Sequence, residues 1–580
     1  MSSTEAPAKR QRLEGVVGLK GVSHRALAAI AHRLKDAPVE DAGVSASTLR
    51  RVAASAYSEI GVTLDLACED GVVYKWEICR FDLLLTAYAK RSKVFRDCLL
   101  DTLHSSPQLD ICLYTDEVSP GNTLALVTHR KFWSFYVSFL QFGERLCYET
   151  HWFEVAVLRT SVAKKVVGGI SACTGALLKS FFAAPCDFSR GIALDLGGVP
   201  IIASARFSLF LADGDAERAC WSCKGAAGVR PCFLCKNIVV CRHQADGLLS
   251  VGCSDYRLLD LCTDDQVYEA VDTLAAAPVA GEPFKLLERA LGFTYLPGSL
   301  LFDATIRGFL RPASAHRYDP MHTLVGNGVA HFELANFFCR CLAKIPQFSY
   351  ALIREYLSAD WGTPHHLGVS MQKLKCLFTP LRQTDLAKHT FKCDASPMLA
   401  LFPLVRHFAR NCVLPLGSLG EEVASLEACG RVLDEYVMIK RGGRGDNWAD
   451  AIRAFLEQHR QTYGEKSMKP KHHWLLHLPS QLRRDGVLVD TFISGETPQE
   501  GEGIRRELQS RGALRTQHRG ELLPGSLPFL RADTSRGRPV APDPAMGRAL
   551  VGPCVGVDKD AVCTRAVGCW RLRLSGRTPR

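Results

Sequence analysis

The sequence lacks an apolar run clean enough to cross a membrane. Its longest apolar region, Ile192 to Ala212, is broken by Asp195, Pro200 and Arg206, whereas a helical span needs about 20 predominantly apolar residues. No membrane partner is expected. The opening residues, MSSTEAPAKRQRL, have no apolar stretch of the kind an export signal requires. The 23 cysteines are therefore expected to be reduced thiols filling cores, with close pairs as metal candidates, and not a disulfide framework. Charge is modest as well. At 23% charged and 47% hydrophobic residues, the composition is that of a globular protein and excludes a wholly disordered chain.

What is present is enough chain for roughly three or four domain-sized units. The net charge of +11 is uneven: Arg511 to Arg580 holds twelve Arg and one Lys against one Glu and four Asp. Such a tail can follow a phosphate backbone or be a solvated end. Lys9, Arg10 and Arg12 form a short basic cluster suited to nuclear import, so a nuclear location is expected.

Residues 1–15 read as a disordered leader and 16–108 as a helical region, with Leu27, Ile30, Ala31 and Leu34 on one face and a second run at Leu49 to Ala56. The period then changes. Leu109 to Tyr114, Lys131 to Phe142 and Trp152 to Leu158 read as three strands, Ser171 to Ala184 as a helix, and Ile201 to Leu211 as a further strand. Beyond Asn237 the pattern is mostly helical, with candidates at Asp265 to Ala276, His331 to Cys341, Tyr350 to Leu357, Gly420 to Val437 and Trp448 to His459. After about Gln517 periodicity fades. Three strands, a helix and a strand is the order of a ribonuclease-H-like α/β core.

Four groups of residues can carry chemistry. Asp116 and Asp213 follow strands, and in an α/β sheet such positions gather at one edge. Two carboxylates there suit Mg²⁺, which prefers oxygen ligands; turn-forming or capping acids are the alternative, and Asp215 competes with Asp213. Cys220-x-x-Cys223 and Cys232-x-x-Cys235 each have thiolate spacing for zinc and together can form a local Cys₄ knuckle. His473 and His477 lie four apart in a helix opened by Pro470 and closed by Pro479, a chelating spacing, with unliganded surface histidines as the alternative. Asp319-Pro-Met-His322 reads as an acid beside an imidazole, or as a helix cap.

In combination these pieces resemble the transposases of the CACTA, Mirage and Chapaev group, relatives of the V(D)J recombinase. The match rests on YTDEVSPGN with Asp116, LADGDAERACWSCKGAAGVRPCFLC with Asp213, DPMH, KHHWLLHLP, and ISGETPQEG with Glu496. Asp213 to Cys232 and His477 to Glu496 are both 19 residues. The resemblance, covering about Leu109 to Leu508, implies a ribonuclease-H-like mixed sheet interrupted by a large, mostly helical insertion with a zinc site. The implied layout is 109–237 for the first core segment, 238–469 for the insertion, 470–516 for the paired-histidine element and last core segment, and 517–580 for a basic tail. It implies that Asp116, Asp213 and Glu496 hold two Mg²⁺ or Mn²⁺ ions for DNA strand cleavage and transfer. It also implies that Cys232, Cys235, His473 and His477 hold structural Zn²⁺, with Cys220 and Cys223 as bystanders. Transposon ends or target DNA are the implied partners, and a homo-oligomer the implied assembly. The chain departs from the pattern at Glu496-Thr-Pro-Gln-Glu-Gly, where relatives have a Glu-Arg helix start, and Glu500 and Glu502 lie nearby as substitutes. A non-cleaving, transposase-derived zinc protein that binds DNA or a protein partner is the alternative, and a local Cys₄ module on an unrelated scaffold a third reading.

Overall fold

The computed structural model describes residues 60–118, 131–240, 248–279, 281–358, 361 and 368–490. The leader, the helical runs between Leu27 and Ala56, Glu496 with Glu500 and Glu502, and the basic tail lie outside the described residues. The fold is mixed α/β: a curled mixed sheet and a helical region. Two compact units are distinguished, one of residues 1–236 with 260–317 and one of 237–259 with 318–580.

The sheet-bearing unit begins with a hairpin, β1 (Gly61–Ala67) and β2 (Val73–Cys79), paired antiparallel from Gly61↔Cys79 to Ala67↔Val73. This stretch was expected to be helical. Its polar residues alternate with apolar ones, the turn is made by Gly71 at φ +77°, and Lys75 faces Asp65 across the pair at 2.7 Å. Helices α1 (Phe81–Arg91) and α2 (Lys93–Ser105) follow. Next come β3 (Gln108–Val118), β4 (Phe132–Phe139) and β5 (Phe153–Arg159), helix α3 (Gly169–Phe181), β6 (Ile192–Asp195), β7 (Pro200–Ala212) and α4 (Gly214–Trp221). Helix α5 (Asp264–Ala276) opens on a capping box between Thr263 and Gln266, and β8 (His316–Tyr318) supplies the last strand.

The sheet order is β1-β2-β5-β4-β3-β7-β8, with β6 pairing β7 off that path. Strands β3, β4 and β5 form an antiparallel meander, whereas β7 runs parallel to β3. A parallel neighbour cannot be reached by a tight turn, so the chain needs a crossover between β5 and β7, and α3 lies in it. Helix α3 starts at Gly168, whose φ of +83° favours glycine and where a Cβ would lie 2.9 Å from the backbone of Gly298 and Ser299. Residues Ile111 to Thr115 of β3 are all buried, as expected for a strand covered on both faces. The Phe81 ring ties α1 to the sheet and to α3, with centroids 5.5 Å from Phe139 and 5.5 Å from Phe181.

The second unit is helical: α6 (Pro320–Leu324), α7 (Val329–Lys344), α8 (Ala395–Phe408), α9 (Gly420–Ile439), α10 (Trp448–Tyr463), α11 (Pro470–Trp474) and α12 (Leu478–Asp485) position its site. In α10, Trp448, Ile452, Phe455, Leu456 and His459 recur at helical spacing and form the buried stripe. That stripe ends on a buried polar knot. Glu333 of α7 accepts from Ser425 Oγ at 3.1 Å and Tyr463 Oη at 3.4 Å, and meets His459 Nδ1 at 2.6 Å. Glu333, Ser425 and His459 are fully buried, so removing the carboxylate strands the Ser425 hydroxyl and the His459 ring away from water. Glu333→Ala is expected to cost about 3–5 kcal/mol, read as a lower denaturant midpoint for the helical signal; an unchanged midpoint would contradict this account.

Candidate metal centre and acidic strand ends

The parallel pairing of β3 with β7 includes Tyr114↔Leu211 and Thr115↔Ala212. Asp116 is the next residue of β3, which runs on through Glu117 to Val118, and Asp213 directly follows the last residue of β7, so the two acids lie level on neighbouring strands, with Asp116 inside its strand and not after it as expected. Asp213 is also the N-cap of α4: its Oδ1 accepts from Asp215 N at 3.1 Å and Ala216 N at 2.7 Å. Neither bond uses Oδ2. The rival Asp215 lies in the first helical turn, its side chain 87% exposed and paired with Arg218 at 3.0 Å. It faces solvent, whereas Asp213 is half-buried at the strand end.

Asp116 is half-buried and accepts from Tyr114 Oη at 3.1 Å. The next acid along, Glu117, is committed elsewhere, accepting from Lys131 Nζ at 2.6 Å and Thr160 Oγ1 at 2.8 Å. Burial raises its pKa, but these hydrogen bonds and the nearby Lys131 and Lys164 charges outweigh that and hold it below the usual glutamate value. Tyr114 was not singled out from the sequence. The signal was available: two residues before Asp116 on a strand, it shares the acid's face.

Cys232, Cys235, His473 and His477 are all buried, and each offers one ligand atom such that these atoms lie within 4.8 Å of one another. The two imidazoles approach through Nε2, 3.2 Å apart. Tetrahedral zinc with bonds of about 2.0–2.3 Å separates its donor atoms by roughly 3.3–3.8 Å, so the group can hold a metal such as zinc. His473 lies in α11, and His477 ends the 3₁₀ turn Leu475–His477 that follows. Pro479 does not close that helix, as the sequence reading had it. It stands in the first turn of α12, where a missing N–H costs nothing. The His477 ring packs 5.4 Å from Tyr318, which stacks on Trp474 at 4.9 Å. Gln481 fixes Tyr318 through both main-chain groups, at 3.2 and 3.0 Å.

Cys220 and Cys223 are outside this group. Cys220 accepts from Thr174 Oγ1 at 3.6 Å, and burial pushes its thiol up to about 12. Burial likewise holds Cys223 well above its ordinary value. Both are buried thiols that lie outside the Cys₂His₂ group. Cys220→Ala is accordingly expected to leave metal content unchanged, measured by colorimetric zinc release from the purified chain; a drop would restore the Cys₄ knuckle.

The Asp319-Pro-Met-His322 element is a cap. Asp319 accepts from the N–H groups of Met321 and His322 at 3.2 and 3.3 Å and also bonds His322 Nδ1. Lys471 closes the other end of α6, donating to the carbonyls of His322 at 2.9 Å, Gly326 at 3.3 Å and Asn327 at 2.9 Å. Among the described residues, no helix is long and apolar enough to cross a membrane.

No protein-family model and no curated protein matches this chain.

Proposed function

We propose that this chain is a transposase-like protein of the CACTA, Mirage and Chapaev kind, with a ribonuclease-H-like core that cleaves and transfers DNA strands. The observation that carries the reading is the pairing of β7 parallel to β3 beside the antiparallel β3-β4-β5 meander, with Asp116 of β3 level with Asp213, which directly follows β7. That order, a three-stranded meander followed by a parallel strand on the far side of its first member, is the arrangement expected of a ribonuclease-H-like sheet.

Asp116 and Asp213 supply hard oxygen ligands suited to Mg²⁺ or Mn²⁺, and Glu496 completes the set in the resemblance. Bound there, the ions would activate the attacking oxygen and stabilise the leaving one. In cleavage, water forms the new P–O bond, the P–O3′ bond breaks, and a 3′-hydroxyl and a 5′-phosphate result. In transfer that 3′-hydroxyl attacks a second phosphodiester, losing its proton as the target's P–O3′ bond breaks. Cys232, Cys235, His473 and His477 hold a structural zinc in this reading, since two thiolates and two imidazoles match its preference. The DNA is a transposon end or a target, the working form a homo-oligomer and the compartment the nucleus.

The second reading, a zinc-containing DNA- or protein-binding descendant that no longer cuts, is favoured by Thr497, Pro498 and Gly501 after Glu496, residues that weaken a helix start. Incubating the zinc-loaded chain with Mg²⁺ or Mn²⁺ and DNA carrying the sequences that flank its gene separates the two. Metal-dependent nicks are expected; intact DNA with folded, zinc-loaded protein supports the second reading instead.

A further inference from the structure

The sheet face that bears Asp116 carries an aromatic group of its own. Side chains alternate along a strand, so Tyr114 and Asp116 share one face. Tyr136 stands directly across from Tyr114 in β4, and Ser134 across from Asp116. The two tyrosine rings are stacked, centroids 5.7 Å apart and 18° between planes, and Trp152 meets Tyr114 edge-on at 6.4 Å. Tyr114 is only 9% exposed. Its ring is thus held from two sides, and a phenol, protonated at neutral pH, has a single hydrogen to donate. That hydrogen goes to Asp116 Oδ2 at 3.1 Å.

A carboxylate turns about its side-chain torsions unless something fixes it, and a ligand that must first be ordered binds its ion less tightly. We infer that Tyr114 is a positioning residue for Asp116: its clamped hydroxyl sets the carboxylate's orientation for a divalent cation. Tyr136 and Trp152 hold the clamp. The inference rests on the cation-binding role proposed above for Asp116, and concerns how tightly the ion is held rather than whether the chain cuts DNA.

The test compares the full-length, zinc-loaded chain with Tyr114→Phe and Asp116→Asn, measuring Mn²⁺ binding by the loss of the free-ion paramagnetic signal. The Mg²⁺ concentration that half-saturates nicking is measured alongside. Tyr114→Phe removes one hydroxyl and keeps the ring, so circular dichroism and zinc content should match the parent. It is expected to weaken Mn²⁺ binding about 10- to 100-fold, the usual cost of losing an outer-shell partner of a metal ligand. The half-saturating Mg²⁺ concentration should rise similarly, with the rate at saturating metal much less affected. If Tyr114→Phe binds Mn²⁺ as the parent does while Asp116→Asn loses it, the positioning role is wrong and the cation site stands. If no Mn²⁺ binding by the parent depends on Asp116, both fall together.

Discussion

Asp213→Asn is expected to abolish metal-dependent strand cleavage while leaving fold and zinc content intact. The separation is possible because, on the proposed reading, Asp213 does two jobs with one side chain. As the cap of α4 it accepts two backbone hydrogen bonds through Oδ1, and Asn caps a helix about as well as Asp. As a metal ligand it needs a negative oxygen, which the amide lacks. Loss of a ligand carboxylate should slow nicking on the order of a thousandfold or more, about 4 kcal/mol of barrier. Asp213→Ala makes the useful contrast, because it also removes the cap and costs about 1 kcal/mol of stability. Asp116→Asn should match Asp213→Asn in rate. Equal nicking by the Asp213→Asn variant and the parent would remove Asp213 from the chemistry. Gln substitutions at Glu496, Glu500 and Glu502, assayed in parallel, would identify the third acid by which one alone silences cleavage.

Ser at Cys232 or Cys235, or Ala at His473 or His477, is expected to empty the metal centre. The donor atoms lie within 4.8 Å of one another in buried surroundings, and two thiolates with two imidazoles suit one tetrahedral ion. Structural zinc in small domains contributes apparent binding free energies of about 10–16 kcal/mol, comparable with the whole stability of a typical domain. Bound zinc should fall from one per chain to near zero, and the thermal midpoint should fall with it. Acid should act in the same direction, since zinc needs deprotonated thiolates and neutral imidazoles: it is retained at higher pH and released as pH falls. Zinc release followed across a pH series, with thermal melting of each variant, measures both. A full zinc complement in the His473→Ala variant would return the site to Cys220 and Cys223.

Much of the element pattern was open to reading from local sequence. The runs LDICLY and most of WFEVAVL fell in β3 and β5, KFWSFYVSFLQF held β4 but ran past it into the 3₁₀ turn that starts at Leu140, and the helical spacing after Trp448 became α10. The hairpin at residues 61–79 was not read, because its strands are short and their exposed faces carry Asp65, Lys75 and Glu77, which break any apolar run. Tyr114 went unnoticed for a different reason. Its value lies in the Tyr136 ring opposite, and strand register is not written in either strand alone.

The sequence by itself determined residue types and short-range spacing: acids after strands, two Cys-x-x-Cys pairs, histidines four apart. Spacing within a turn sets geometry within that turn, so such features survive without knowledge of the fold. Spacing alone left two equally placed cysteine pairs open, and the tertiary structure groups Cys232 and Cys235 with the histidine nitrogens, as the resemblance implies. Cys220 is enclosed against Thr174 of α3, while Cys232 and Cys235 share their surroundings with imidazole nitrogens. It likewise decided that Asp116 and Asp213, nearly a hundred residues apart in sequence, end side by side. That follows from a parallel pairing in register, and such a pairing depends on how separate stretches of chain bury their apolar faces together.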